Sequence, residues 1–456
     1  MNPARVLIAG TASGSGKTTA VCAVLTLMKR CGIRVKACKC GPDYIDPMFH
    51  ASVLGVPSIN LDPFFCDSAL LRQLLCDNAG EDLTVIEGVM GYYDGTGETG
   101  TENSTFTVAD RTDTPVILVV DAKGSAASLL AVIEGFLRFY PNSRIRGVLF
   151  NRMRSHTYFG VCDLMRARFG DCVVPVGFIP AFSDEYTIPS RHLGLVTAGE
   201  LRDLRKKLDA VADLCAQTVD LEQIIAIAQT AEALPDETTE IPTLPAVKIA
   251  YARDAAFCFY YPDTLRLLQR MGATLTPFSP LANEPVPPEA DGLLLGGGYP
   301  ELYAEQLEKN ETSKESVRRA VCGGMPTIAE CGGFQYLGRS LDGKRMCGAL
   351  NHESFPAGRL VRFGYVTLTA RQDGLLGKAG TVLRGHEFHY WDSTDVGDGF
   401  TAQKLNGSSR LCAVHTPTLY AGYAHLYLCA NPAAAQAFYR KCIEYKEEQH
   451  DRHVSE

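Results

Sequence analysis

Over the first 190 residues, short and almost wholly apolar runs alternate with stretches whose apolar residues recur every three or four positions. The runs cover 5–9, 33–38, 83–91 with its closing acid and glycines, 115–121, 145–152 and 173–180. Continuous rather than alternating hydrophobicity predicts strands covered on both faces, and the intervening periodicity predicts helices, the first over 20–30. That alternation predicts a doubly wound parallel sheet. Leu201, Leu204, Leu208, Val211, Leu214, Leu221, Ile224, Ile225 and Ile227 then fall on one helical face, so 200–233 reads as helix. Residues 234–246, rich in Pro, Thr and acids, read as a linker.

The pattern restarts with a strand over 247–252, a helix over 262–271 and a strand over 274–278. Two further apolar runs, 291–295 and 326–330, open onto glycines, and 420–427 reads as a strand carrying His425. The predicted organisation is an α/β domain over 1–233, the linker 234–246, a second α/β domain over 247–446 and a polar tail over 447–456.

Length and charge narrow the class. A chain of 456 residues is long enough for two or three full cores. A net charge of −8 argues against nucleic acid and anionic membrane as partners. No apolar run reaches the roughly 20 residues of a membrane helix, and the amino terminus runs straight into a strand, so a cytoplasmic protein without a signal peptide is expected. The 16 cysteines are scattered. Cys38-x-Cys40 is too tight for the usual zinc pair and has no answering pair, so most cysteines read as buried apolar residues in a reducing compartment.

The first candidate chemistry lies in 10–19, Gly-Thr-Ala-Ser-Gly-Ser-Gly-Lys-Thr-Thr, between the first strand and the first helix. Thr11, Ser13, Gly14, Ser15, Gly16, Lys17, Thr18 and Thr19 form a phosphate loop. Its glycines let backbone N–H groups close on phosphate, Lys17 serves the outer phosphates and the Thr18 hydroxyl serves Mg²⁺. Thr11 stands where the usual pattern has its first glycine. The plain alternative is a glycine-rich turn; Gly-Lys-Thr at a strand-to-helix junction speaks against it. Past the second strand, 39–47 brings Lys39, Asp43, Tyr44 and Asp46 into a Gly/Pro loop where α/β sheets bind ligands, although Pro-Asp also marks solvated turns. Glu87 ends a strand beside the phosphate loop, a place suited to Mg²⁺, with Asp43 a second candidate ligand. Asn151 ends another.

The second candidate is Ala329-Glu330-Cys331-Gly332-Gly333, a strand–turn–helix resembling a nucleophile elbow. Amides at Gly332 and in the Gly297–Gly298 loop could stabilise an oxyanion. Cys331 early and His425 late in one α/β domain is a cysteine-nucleophile arrangement. A buried structural thiol and a hydrogen-bonded histidine are the alternative. His386 and His389 lack further ligands in the pattern and read as hydrogen-bonding residues rather than a metal pair.

These motifs together resemble a known family. KCGPDYIDP over 39–47, DAAFCFYYPDTL over 254–265, FSPL over 278–281, GGGYPE over 296–301, ECGGFQ over 330–335 and GHEFHY over 385–390 are similar to the cobalamin-pathway glutamine amidotransferases, and among them to the cobyrinic acid a,c-diamide synthases. The likeness covers nearly the whole chain. The first half is also similar to dethiobiotin synthetase, whose phosphate loop shares the threonine at Thr11. The resemblance implies a class I glutaminase-like second domain and an ATP- and Mg²⁺-dependent amidation. ATP would phosphorylate a macrocycle carboxylate, and ammonia released from L-glutamine would displace the phosphate. It further implies Cys331 as nucleophile and His425 as proton carrier. Lys39, Asp43, Asp46 and Glu87 would handle the acyl phosphate, Mg²⁺ and substrate, and Asn151 would read adenine. Class I glutaminases carry Glu two residues after the histidine; Tyr427 stands there, so the third member of the site stays open. Segments 359–365 and 385–390 are expected near the domain interface, with a protected ammonia path between the two sites. Hydrogenobyrinic acid and nickel-sirohydrochlorin are alternative macrocycles, and a homodimer is an open assembly. Cobyric acid synthases are similar in both halves but lack the GPDYIDP loop. A regulatory P-loop ATPase with an inert glutaminase-like module is the rival from another class.

Overall fold

The computed structural model describes residues 3–97, 99–182, 198–235 and 240–455. The chain divides into two compact units, 1–239 and 240–456; residues 236–239, inside the expected linker, lie outside the described residues.

The first unit is organised by seven strands: β1 (Arg5–Gly10), β2 (Val35–Cys40), β3 (Ser58–Leu61), β4 (Leu83–Glu87), β5 (Val116–Asp121), β6 (Ile145–Asn151) and β7 (Val174–Ile179). They lie in the order β3-β2-β4-β1-β5-β6-β7, and every pairing is parallel. β1 and β4 are buried along their whole length, as continuous apolar runs in a covered sheet must be. Strand order reverses at β1, so the crevice for ligand opens at the carboxyl ends there. Register then decides which side chains share that edge. Glu87 lies beside Ile8 of β1 and Lys39 of β2, and Asp121 of β5 beside Asn151 of β6. Helix α1 (Lys17–Arg30) buries Ala20 to Leu25 without a break, packed in the cluster that also holds Val211, Ile224 and Ile227.

One predicted element is corrected. The helix expected over 200–233 is two, Ala198–Cys215 and Leu221–Gln229. Between them the backbone pairs antiparallel with β7 through Val219 and Gly177. Phe178 N donates to Thr218 O and Asp220 N to Val176 O, both at 3.0 Å. Asp220 Oδ1 then caps the second helix by accepting from Gln223 N at 2.9 Å. Apolar residues on either side of the break stay nearly in phase, which is why periodicity hides it.

The second unit holds a six-stranded sheet of Val247–Ala252, Ala273–Phe278, Gly292–Leu295, Thr327–Glu330 and Leu419–Gly422, all parallel, with Val414–His415 antiparallel at one edge. A five-stranded antiparallel sheet contains Arg362–Ala370, Val382–His389 and His425–Leu426. The single strand expected over 420–427 is therefore two, Leu419–Gly422 in the first sheet and His425–Leu426 in the second. Buried Tyr423 sits at the crossing, its hydroxyl 2.8 Å from Ser393 Oγ. The last helix, Pro432–Ser455, runs through most of the expected polar tail. No helix among the described residues is long and apolar enough to cross a membrane.

Candidate active sites

In the first unit the loop after β1 turns back on itself before α1 begins. Gly14 and Gly16 take φ of 77° and 95°, a region that favours glycine. A Cβ on Gly10 would lie 2.1 Å from Ser15 Oγ, and one on Gly16 would lie 2.1 Å from Asn151 Nδ2. The two ends of the loop thus leave no room for a side chain at positions 10 and 16. Thr11 N donates to Val119 O at 3.2 Å and anchors the loop's start to β5. Ser13 and Gly14 form the exposed tip, and Thr19 is half-buried in the first helical turn. Buried Ser15 Oγ finds no hydrogen-bond partner among the described residues. Lys17 Nζ donates to Ala12 O of its own loop at 3.0 Å. Burial, seconded by the Lys39 charge, lowers the Lys17 ammonium to about 8. A cradle of free helix N–H groups, an orphaned hydroxyl and a desolvated ammonium fits a phosphate group.

Behind the loop lies a cluster of charges. Lys39 Nζ is 2.6 Å from Asp46 Oδ2 and 3.2 Å from Glu87 Oε1. Glu87, fully buried, also lies 3.0 Å from His50 Nε2 and accepts from Thr18 Oγ1 at 2.8 Å. Burial pushes the Glu87 carboxyl up, but Lys39, His50 and Thr18 overcome it and hold the group well below its usual value. Burial likewise pushes the Lys39 ammonium down, and Glu87 and Asp46 more than reverse the shift. Asp46 is raised by burial and by the Glu87 charge, since two carboxylates share one lysine.

Thr18 and Glu87, two expected metal ligands, are brought together. Asp43, the third, turns Oδ1 to Ile45 N at 2.8 Å, inside its own loop. Among the described residues no group of three or more His, Cys, Asp or Glu stands ready to hold a metal. Tyr44 is 9% exposed, so little of it is offered to a substrate. Asn151, expected to read adenine, spends Nδ2 on Ser15 O at 2.9 Å and buttresses the phosphate loop. Two contributors carry no motif. Asn60 Nδ2 donates to Gly41 O at 2.8 Å and Asp43 O at 2.7 Å, fixing the 39–47 loop. His50 holds the far side of Glu87, with Nδ1 3.2 Å from Ser58 Oγ.

In the second unit Cys331 takes φ 48° and ψ −103° between the strand Thr327–Glu330 and the helix Gly332–Leu337. That conformation is rare for a residue with a Cβ and is held by Cys331 N donating to Gly422 O at 2.8 Å. Cys331 is 8% and His425 4% exposed, and the two side chains are hydrogen-bonded. Gly297 O accepts from Cys258 N at 3.0 Å and Phe259 N at 2.9 Å. In a trans peptide the next N–H, that of Gly298, points the opposite way. A Cβ on Gly332 would lie 3.3 Å from Gly298 N, so the expected oxyanion amides of Gly298 and Gly332 are neighbours. A Cβ on Gly297 would lie 2.4 Å from His425 Cε1, which leaves glycine alone the room to sit there.

Tyr427 turns away from the pair, its hydroxyl donating to Asp263 Oδ2 at 3.2 Å. Glu330 faces it: Oε2 is 3.8 Å from His425 Nδ1 and Oε1 accepts from Leu426 N at 2.9 Å. Burial pushes the His425 imidazolium down, but Cys331 and the Glu330 carboxylate hold it at about 10. His386 pairs with His425 across adjacent strands. His389 stacks on Tyr423 at 4.0 Å and approaches Trp391 O at 2.5 Å. Both imidazoles are pushed down to about 3 by burial, and His389 has the hydrogen-bonding role expected of it.

Two family models cover most of the chain. Residues 6–195 match one described as the CobQ/CobB/MinD/ParA nucleotide binding domain, and 248–433 match the CobB/CobQ-like glutamine amidotransferase domain. Among curated proteins, cobyrinate a,c-diamide synthase of Listeria monocytogenes serotype 4b (strain F2365) is 44% identical over 395 residues, 85% of this chain and 86% of the relative. The protein of that name from Listeria monocytogenes serovar 1/2a (strain ATCC BAA-679 / EGD-e) is 40% identical, covering 94% and 97%. The one from Priestia megaterium is 35% identical, covering 99% and 100%.

Proposed function

The chain belongs to the cobyrinate a,c-diamide synthase family, and from that premise we propose that it converts the a and c acetate side chains of a cobyrinic acid-type macrocycle to amides, using ATP and L-glutamine. It is a ligase, a glutamine-dependent amidotransferase. A carboxylate resists attack by nitrogen because its leaving group would be oxide. Transfer of the γ-phosphoryl group to a carboxylate oxygen, with ADP leaving, gives an acyl phosphate from which inorganic phosphate departs readily. Lys17 and the backbone amides after Gly14 would hold the transferring phosphate, and Mg²⁺ held by Thr18 and Glu87 would neutralise charge there. The Thr18 hydroxyl and Lys17 ammonium, now bonded to Glu87 and Ala12, would exchange those partners on binding. Lys39 and Asp46 would face the reacting carboxylate, with Asp43 and Tyr44 shaping the loop around it.

Nitrogen would come from the second unit. His425 takes the thiol proton as Cys331 Sγ bonds to the side-chain carbonyl carbon of glutamine, and the carbonyl π pair moves to oxygen as an oxyanion held by Gly298 and Gly332. His425 hands a proton to the departing nitrogen, so the C–N bond breaks and ammonia leaves. Water then cleaves the thioester and glutamate departs. The observation that carries this reading is the left-handed Cys331 hydrogen-bonded to buried His425 beside the Gly297–Gly298 turn.

The test incubates the protein with ATP, Mg²⁺, glutamine and, in turn, cobyrinic acid, hydrogenobyrinic acid and nickel-sirohydrochlorin, with products weighed by mass spectrometry. Two carboxylates of cobyrinic acid should become amides; no amide from any of the three overturns the reading. Cys331→Ala should abolish glutamine-driven amidation and spare amidation driven by ammonium salts. Survival of both would make Cys331 structural.

A further inference from the structure

His425 carries a proton in the proposed reaction, so something must fix its ring and tautomer. The position two residues on, where an acid would be sought, holds Tyr427, and its hydroxyl is bonded to Asp263. Among the described residues, titratable groups approach His425 from the elbow and from a neighbouring strand. Cys331 and Glu330 face it from the elbow, and His386 and His389 from the neighbouring strand Val382–His389. Glu387 of that strand is buried against Arg410. Half-buried Tyr260 and fully buried Tyr420 lie on the Glu330 side. Glu330 is the acid that reaches the imidazole. Its Oε1 accepts from the amide of Leu426, the residue after the histidine, at 2.9 Å, while Oε2 stands 3.8 Å from Nδ1. One carboxylate therefore joins the peptide before the nucleophile to the strand that carries the base.

We propose that Glu330, through Oε2 at His425 Nδ1, is the positioning residue that completes the glutaminase site. The inference rests on the glutaminase reading of Cys331 and deepens it. With Nδ1–H directed to Glu330, Nε2 is left for the proton that moves between sulfur and the leaving nitrogen. At 3.8 Å the contact is an ion pair rather than a hydrogen bond, and such contacts tighten when substrate settles. The acid supplied two residues after the histidine in other glutaminases is here supplied by the residue before the cysteine.

Glu330→Gln isolates the charge. Its amide oxygen can still accept from Leu426 N, but its NH₂ group cannot accept from Nδ1–H. Glutamate release and glutamine-driven amidation should fall on the order of 10²-fold in kcat. KM for glutamine should stay within a factor of about two, and ammonium-driven amidation should be unchanged. Without the negative charge the imidazolium is easier to deprotonate, so the alkaline limb of kcat/KM for glutamine should move to lower pH. Glu330→Asp, which keeps the charge on a shorter arm, should recover about tenfold of the loss and remain below wild type in kcat. A Glu330→Gln enzyme with wild-type kcat and an unmoved alkaline limb overturns the proposal, as does an Asp variant no better than Gln. If the Gln variant does not fold, Glu330→Asp decides alone: lowered kcat at constant KM supports the proposal and unchanged kcat overturns it. Cys331→Ala, run in parallel, separates the two failures. If it still releases glutamate, the glutaminase reading itself has fallen; if it does not, the Glu330 variants test the positioning role alone.

Discussion

Each unit displays its reactive group on a tight turn between a buried parallel strand and a helix, yet the turns are held in place by different means. Around the phosphate loop the means is charge. Lys39 sits between Glu87 and Asp46 behind it, His50 contacts Glu87, and Lys17 is parked on Ala12. Around Cys331 the means is conformation: a φ of 48°, a bond to Gly422, and a glycine pressed to within 2.4 Å of the imidazole, measured from the Cβ it lacks. A site held by internal ion pairs must surrender some of them to its ligand. A site held by backbone geometry is finished before the ligand arrives. The difference matches the two chemistries, since phosphoryl transfer relies on movable charge and acyl transfer on fixed donors.

The most severe challenge to this contrast removes the centre of the charge cluster. Glu87→Ala leaves Lys39 with Asp46 alone and should cost the first unit about 3–5 kcal/mol, read by chemical denaturation. A loss under about 1 kcal/mol would show that charge does not hold the site. Because Glu87 is held below its ordinary value, its stabilisation is present above the ordinary carboxylate range and fades as pH falls through it. The gap between wild type and variant should therefore narrow in acid.

Next in size, Lys17→Ala should lower amidation on the order of 10²–10³-fold with glutamine and with ammonium salts alike. Survival of the ammonium-driven reaction would make the first unit regulatory. Smallest, Gly297→Ala should displace His425 by about an ångström and lower glutamine-driven turnover on the order of 10²-fold, with ammonium-driven turnover intact. Full glutaminase activity in that variant would show that the second site adapts after all.

Much of the architecture was legible because the patterns that carry it are local. The unbroken apolar run of β5 can only be a covered strand, and Gly-Lys-Thr and Glu-Cys-Gly-Gly each sit at a strand-to-helix junction. What escaped was long-range. Asn60 clamps two carbonyls 19 and 17 residues away, and His50 reaches Glu87 through the fold rather than through any motif. Glu330 lies within a motif, yet its partner Leu426 is 96 residues on. The spacing familiar from other glutaminases points instead to Tyr427, which packs elsewhere. The break at Val219 was hidden by periodicity that continues across it, although Asp220 offered a cap. The tie of Asn151 to Ser15 joins positions 136 residues apart, which no single stretch of sequence encodes.

The backbone at position 331 sets selection against folding. Glycine would occupy that left-handed geometry with less strain than cysteine. A thiol at this corner therefore carries a strain that an inert turn would avoid, and only its chemistry repays the cost.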